Sequence, residues 1–100
     1  MLRITINENE QGAVIKLEGR IAGPWAAELS RTWKEQAPLL AKRKVSLDLR
    51  DITFSDASGT EALRDIYRQS GAELVTGNPW THFLAEEVVR GSAQNEEEER

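Results

Sequence analysis

Hydrophobic and polar residues alternate along the first fifth of the chain. Alternation with a period of two is typical of a half-buried β-strand, because successive side chains point to opposite faces. The polar segment NENEQG divides the alternating region in two, so the pattern predicts an antiparallel hairpin of two strands. The apolar positions of the two strands are Leu2, Ile4 and Ile6, then Ala13, Ile15, Leu17 and Ile21.

A helical spacing begins at Gly23-Pro24. Trp25, Leu29 and Trp33 recur every four residues, which predicts an amphipathic helix from Pro24 to about Gln36. Both tryptophans are expected to pack against the sheet, as aromatic residues at helical spacing usually do. We expect Pro38 to limit the end of this helix, because proline lacks the amide that a helix interior requires.

Two more pairs of a strand and a helix follow. The alternating segment VSLDL predicts a third strand, and a second helix then extends to near Gly71. The residues ELVT predict a short fourth strand, and a third helix is expected after GNP. From Gly91 the sequence GSAQNEEEER has no apolar anchor and ends in like charges, which indicates a single domain over 1–90 and a disordered acidic tail over 91–100.

This order of elements predicts an α/β fold built on one four-stranded mixed sheet. The first strand is antiparallel, and right-handed crossovers make the last three strands parallel. Because the strands are apolar on one side only, the helices are expected mainly on one face. The loops after the second, third and fourth strands should then meet at one rim, where open sheets with parallel strands usually bind.

Composition narrows the classes of function. The net charge of −4 argues against nucleic acid as the main partner, because lysine and arginine supply most of the affinity for phosphate backbones. The chain has no cysteine and one histidine, His82, so neither a disulfide nor a metal site is expected, nor any cofactor. The first residues, MLRITINENE, lack the pattern of a signal peptide, and no apolar run reaches the ~20 residues that span a bilayer. We therefore expect a cytoplasmic protein without membrane contact. The sequence leaves the oligomeric state open.

The segment TFSDASGTEAL, residues 53–63, carries the candidate chemistry. Ser58 and Glu61 have the spacing of a capping box, and Asp56 is an alternative cap for the same helix. Gly59 and Thr60 are poor helix formers, and a glycine beside a hydroxyl at a helix start leaves amides open to an anion. A small anionic ligand or a nucleotide is therefore an alternative occupant of this rim.

Three segments of the chain together resemble a STAS domain, the module of bacterial anti-sigma-factor antagonists and of the cytoplasmic end of sulfate transporters. They are LEGRIAG at the end of the second strand, VSLDLRDITFSDASG leading into the second helix, and AELVTGNP before the third. The resemblance extends from Leu2 to about Glu87. Its most specific element is the D-x-S-G motif, which runs from Asp56 to Gly59.

The resemblance implies regulation by partner switching in transcription. A partner that is both an anti-sigma factor and a serine kinase would bind the unmodified protein and release it once Ser58 is phosphorylated, and the module itself would not be an enzyme. Ala57 and Thr60 depart from the family pattern, which often has a second hydroxyl before the serine and an aliphatic residue after the glycine, so STAS-like binding without phosphorylation stays an alternative. The residues expected to bind the partner are Gly23, Pro24, Asp56, Ala57, Ser58, Gly59, Thr60, Glu61 and Asn78.

Two enzymatic or signalling alternatives have weaker support. A serine hydrolase would need a histidine near Ser58, and His82 lies in the third predicted helix without a G-x-S-x-G elbow in the chain. A receiver-like phospho-aspartate at Asp48 or Asp51 would need an acidic Mg²⁺ cluster from another strand end, and the first strand offers only Asn7 and Glu8 at the far rim.

Overall fold

The computed structural model describes the backbone of residues 1–98 and the side chains of residues 1–92. Within that part the chain forms four strands and three helices. They are β1 (Leu2–Asn9), β2 (Gly12–Ile21), α1 (Pro24–Leu40), β3 (Val45–Ser55), α2 (Ala57–Ser70), β4 (Glu73–Val75) and α3 (Pro79–Glu98).

The four strands form one mixed sheet in the order β1-β2-β3-β4. β1 pairs with β2 antiparallel, whereas the β2–β3 and β3–β4 pairs are parallel. The side chains that alternate inward from β2 and β3 are buried with residues from all three helices in one cluster. The predicted fold class is therefore confirmed.

β3 is longer and less regular than its alternating residues indicate. Two register shifts against β2 place extra residues in β3, one between Asp48 and Asp51 and one between Ile52 and Phe54. Such bulges change the face on which the following side chains emerge. Ile52 is buried, whereas the ring of Phe54 is 39% exposed near the end of the strand.

The two tryptophans of α1 differ in their surroundings. Trp33 is buried, and its indole Nε1 donates a 2.8 Å hydrogen bond to Gln69 of α2. Trp25 is 37% exposed, because it lies in the first turn of the helix, beside the rim. The expectation that both pack in the core was therefore correct for Trp33 and wrong for Trp25.

Helix α1 continues past Pro38, contrary to the expectation from the sequence. Pro38 is exposed and lies in the last turn, and the helix ends at Leu40, which is buried. A proline near a helix end removes only one intrahelical hydrogen bond. Burial of Leu40 offsets this loss, so the final turn forms.

Helix α3 also extends further than the domain boundary predicted at residue 90. Gly91 and Ser92 are helical, and Ser92 is buried, so these two residues belong to the packed domain. The residues after them include Ala, Gln and Glu, which are good helix formers, and the helix is described to Glu98. Residues 99 and 100 lie outside the described part, and the disorder expected of an acidic tail stays a prediction.

None of the three helices, over the residues described, combines the length and the apolar character needed to span a membrane.

Candidate functional site

The candidate site lies where β2 and β3 end, and Asp56 connects the two strand ends. The backbone amide of Asp56 donates to the carbonyl of Ile21 at the end of β2, at 3.1 Å. Its carboxylate accepts hydrogen bonds from two amides, that of Gly23 at 2.9 Å and that of Gly59 at 2.8 Å. One side chain therefore fixes the loop before α1 against the start of α2.

Asp56 is also the N-cap of α2, which decides between the two caps that the sequence left open. Its backbone is extended, and its side chain accepts from Gly59, three residues into the helix. Glu61 does not reach back to the cap, and its carboxylate instead pairs with Arg64 at 3.0 Å and Arg68 at 3.7 Å. The capping-box interpretation of Ser58 and Glu61 was wrong.

The same two amides make Asp56 a stronger acid. Hydrogen bonds from the backbone of Gly23 and then of Gly59 lower the pKa of the Asp56 carboxyl below its usual value, because they favour the charged form. The carboxylate lies at the positive end of the α2 dipole, which stabilises an anion there. The start of α2 therefore already holds one negative charge.

Ser58 is the second residue of α2, and its side chain is exposed. Its hydroxyl makes no side-chain hydrogen bond to any residue in the described part of the chain. It faces a shallow groove between α1 and α2 whose floor is made of small residues and whose α2 side is acidic. This α1–α2 groove is lined by Gly23, Ala26, Ala27, Ser30, Ser58, Glu61, Ala62 and Asp65.

Gly59 holds α2 close to the end of β2. It is buried, and a Cβ built on it would meet the backbone carbonyl of Ile21 and lie 2.7 Å from Oγ of Ser55. Thr60 is also partly buried, and its hydroxyl lies 3.0 Å from that of Ser55. Of the three hydroxyls at this turn, only that of Ser58 is directed away from the protein's own groups.

Gly23 and Pro24 form the other side of the rim. Gly23 has a φ of 55°, a conformation that residues with a side chain rarely adopt. This conformation lets its amide bond Asp56 while Pro24 begins α1. The structure therefore brings Gly23, and with it the start of α1, against Asp56, and a role of these residues in binding stays a prediction.

Asn78 has a different role from the other predicted site residues. Its Oδ1 accepts a 2.8 Å hydrogen bond from the amide of Thr81, so it caps α3. Within the described residues it makes no hydrogen bond to residues 56–61. The reason is that β4 pairs only with Ser46–Asp48, near the start of β3, so the loop after β4 begins well before the strand end that carries Asp56.

Helix α3 places two aromatic residues beside the site, and neither was among the site residues predicted from the sequence. Phe83 is 56% exposed, and its ring centroid lies 6.4 Å from that of Trp80. Both line a second groove, between α2 and α3, together with Ser55, Ala57, Thr60, Arg64, Leu84 and Glu87. Ala57, one residue from Ser58, forms part of this α2–α3 groove.

Phe54 adds another exposed ring near the end of β3, and the guanidinium of Arg20 stacks on it at 4.5 Å. A strict alternation would place Phe54 on the same side as Ile52, and the bulge between them turns it outward. No pattern in the sequence signals that bulge. Exposed rings are common in surfaces that bind proteins.

The residues of the two weaker alternatives lie away from Ser58. Nε2 of His82 lies 3.3 Å from a carboxylate oxygen of Glu86, and the residue lines a groove between α3 and β4. Asp48 is buried, and its carboxylate accepts 3.0 and 2.8 Å hydrogen bonds from the guanidinium of Arg50. Asp51 pairs with Lys16 at 3.5 Å, so both aspartates have cationic partners within the sheet.

Comparison with known proteins identifies shared folds. An anti-sigma factor antagonist from Mycobacterium paratuberculosis is similar over 79% of this chain and 70% of its own, with a TM-score of 0.69 and 17% identity. The Mglu structure is similar over 75% of this chain but only 19% of its own, with a TM-score of 0.59 and 17% identity. No known family model and no curated protein sequence matches the chain. At 17% identity these likenesses establish the fold, and the predicted STAS-like fold is confirmed.

Proposed function

We propose that this chain is a bacterial regulatory module that acts by binding another protein, in the manner of an anti-sigma-factor antagonist. Its partner is an anti-sigma factor with serine kinase activity, and its interaction surface is the rim around Ser58. The observation that carries the proposal is the division of roles at the start of α2. Asp56 caps the helix, so the exposed hydroxyl of Ser58 serves no structural purpose within the described residues.

The rim has the properties of a protein-binding surface. Its backbone is fixed by the hydrogen bonds from Gly23 and Gly59 to Asp56, so little order is lost when a partner binds. Exposed rings of Trp25, Phe54 and Phe83 supply the kind of aromatic area that anchors protein interfaces. The partner-binding residues proposed are Gly23, Pro24, Asp56, Ala57, Ser58, Gly59, Thr60 and Glu61. Asn78, which caps α3 apart from these residues, lies at most at the periphery of this surface.

Phosphorylation of Ser58 would oppose binding electrostatically. A phosphoserine adds about −1.5 to −2 charges at neutral pH. Asp56 precedes this residue by two positions, and Glu61 and Asp65 line the same groove. The phosphate would repel these carboxylates, and its bound water would have to be removed when the partner covers the surface. The Asp56 cap and the core would be unchanged.

The same charges disfavour the alternative of a free anionic ligand or nucleotide. The amide of Gly59 is already bonded to the Asp56 carboxylate, and that carboxylate occupies the end of the helix where an anion would be stabilised. A free phosphate would also approach Glu61. Isothermal titration with ATP and GTP is expected to give no measurable heat of binding.

The decisive experiment combines the purified chain, its cognate anti-sigma factor kinase and ATP. Mass spectrometry should find one added phosphate, and peptide fragmentation should place it on Ser58. Ser58→Ala should abolish the modification, whereas the matched control Ser55→Ala, three residues away, should retain it. Ser58→Asp should raise the Kd for the kinase at least about tenfold, which corresponds to a loss of about 1.4 kcal/mol in binding free energy.

Two results would contradict the proposal. One is a Ser58→Ala variant that still gains the phosphate, because the reactive hydroxyl would then be elsewhere. The other is a Ser58→Asp variant that binds the kinase as tightly as the unmodified chain. If Ser58→Ala binds the kinase normally and neither this variant nor the unmodified chain is ever phosphorylated, the proposed partner binding stands. The proposed switch by phosphorylation is then rejected.

A further inference from the structure

The two edges of the sheet are built differently. β4 forms one edge and contains three residues, whereas β1 forms the other and contains eight. Natural proteins usually shield a long edge strand with charged side chains, a proline, a bulge or an inward-pointing charge. β1, with the sequence LRITINEN, has no proline, and it pairs with β2 without a register shift from Leu2 to Asn9. Its two charged residues, Arg3 and Glu8, are exposed near the ends of the strand, and its middle residues are uncharged.

The hydrogen-bonding pattern between β1 and β2 shows which backbone amides and carbonyls lie on the outer edge of β1. The carbonyl of Met1 accepts a hydrogen bond from the amide of Arg20 at 2.9 Å. In an antiparallel pair the amide and carbonyl of successive residues point alternately toward and away from the neighbouring strand. The odd-numbered residues of β1 therefore form the hydrogen bonds to β2. The peptide groups of Leu2, Ile4, Ile6 and Glu8 therefore point outward, and the order of strands places no neighbour beside them within the described chain.

The side chains of this edge are partly unburied as well. Ile4 and Ile6 pack on the core cluster, yet both remain half-buried. They lie beside Thr32 and Gln36 of α1, at the margin of the helix-covered face. An apolar strip on the core side of an open strand would be buried by another strand in the same sheet.

We propose that β1 pairs antiparallel with β1 of a second copy of this chain, which joins the two sheets into one of eight strands. One register matches the outward peptide groups of both copies: Leu2 opposite Glu8, and Ile4 opposite Ile6. Because the pairing is symmetric, each of these combinations occurs twice, and each opposed pair exchanges two hydrogen bonds. The two isoleucine pairs extend the core across the junction, which is the cross-strand contact that stabilises sheets.

The opposite face is compatible with the same register. There Thr5 lies against Thr5 of the second copy on the twofold axis, and Arg3 lies against Asn7. No two like charges are directly opposed, so the edge is complementary to itself. Shifting the register by two residues in either direction loses one of the opposed bonding pairs. This interface lies at the sheet edge and does not involve Ser58, so it is independent of the proposed partner switch.

Cysteine cross-linking of the full chain tests both the dimer and its register, because the natural sequence contains no cysteine. In the proposed register the Cα atoms of the two Thr5 residues are about 4.5 Å apart, within the range of a disulfide. Thr5→Cys should therefore form a covalent dimer on mild oxidation. The matched control Arg3→Cys should not, since its two copies are four residues out of register, about 13 Å. An equal mixture of Arg3→Cys and Asn7→Cys should cross-link as a heterodimer.

Sedimentation equilibrium provides a second test without cysteine. The unmodified chain should approach twice its mass of 11.2 kDa as concentration rises. Thr5→Glu should sediment as a monomer, because two carboxylates meet on the axis, while within one chain Glu at this position faces Lys16. Mixing Thr5→Glu with Thr5→Lys should restore the dimer. A chain that stays monomeric up to about 1 mM, or an Arg3→Cys variant that cross-links as well as Thr5→Cys, would overturn the proposal.

Discussion

At the scale of single residues, the D-x-S-G motif contains three separate functions. Asp56 caps α2 and holds Gly23, Gly59 allows the helix to approach the carbonyl of Ile21, and Ser58 is left exposed. The aspartate and the glycine therefore have structural reasons for their identity. The serine has none among the described contacts, which leaves its hydroxyl free to meet a partner.

Replacement of Gly59 by alanine tests this division. By helix propensity alone, alanine would be favoured over glycine by about 1 kcal/mol. The added Cβ would meet the Ile21 carbonyl, and overpacking of this kind costs about 2 kcal/mol. We therefore expect Gly59→Ala to lower the free energy of unfolding, measured by urea denaturation.

Ser58→Ala is the matched control, because it lies one residue away on the same turn. Its hydroxyl contributes no cap, so the free energy of unfolding should change by less than about 0.5 kcal/mol. A stabilised Gly59→Ala variant would show that α2 can move away from β2. A strongly destabilised Ser58→Ala variant would restore the capping role to the serine.

At the scale of elements, α2 and α3 are joined by Arg64. Its Nε and one terminal nitrogen donate to the carbonyl of Glu87 at 3.2 and 3.1 Å, and its other terminal nitrogen bonds Glu61 of its own helix. Gly91 lies beneath the guanidinium, where a Cβ would collide with it. This contact explains why the packed part of α3 reaches Gly91, and it fixes one wall of the α2–α3 groove.

Removal of this guanidinium should loosen α3. Hydrogen bonds from a charged donor contribute about 1.5 kcal/mol or more, so Arg64→Ala should speed amide hydrogen exchange in α3 by about tenfold. Arg68→Ala is the control, because Arg68 pairs with carboxylates of its own helix at the surface and should leave exchange in α3 unchanged. Equal exchange in both variants would mean that α3 is held by its apolar side alone.

At the scale of the whole molecule, two aspartates should make stability depend on acidity. Hydrogen bonds from the amides of Gly23 and Gly59 lower the pKa of Asp56, and hydrogen bonds from the Arg50 guanidinium lower the pKa of Asp48. A carboxyl that is more acidic in the folded state binds more protons when unfolded. Its contribution to the free energy of unfolding is complete above the pKa of the unfolded state, about 3.9. That contribution is lost as the pH falls through the pKa of the folded state.

Urea denaturation from pH 7 to pH 2 measures this effect. When the pH is lowered past about 4, the urea concentration at the unfolding midpoint of the unmodified chain should decrease. Asp56→Asn should begin with a lower midpoint at neutral pH and lose less on acidification, because its side chain has no proton to bind. An acid loss as large in Asp56→Asn as in the unmodified chain would assign the dependence to other carboxylates.

Much of this architecture could be predicted from the sequence because its causes are local. Alternation in β1 and β2, the Gly23-Pro24 start of α1 and the position of D-x-S-G before α2 each depend on neighbouring residues, and the structure confirms the elements they predict. The end of α1 was wrong because Leu40 is held by the core, which overrides the local effect of Pro38. The exposure of Phe54 could not be predicted, because it follows from a bulge set by pairing with β2.

The sequence alone thus determined the order of elements, the mixed sheet and the turn that leads into α2 at Ser58, since period and turn chemistry act over a few residues. Tertiary structure decided which residue caps α2, because Asp56 is selected by a hydrogen bond to Gly23, 33 residues away in the chain. It also separated Asn78 from the start of α2 and left the edge of β1 open. These outcomes depend on how far strands extend past one another, and strand register is fixed only when distant segments pair.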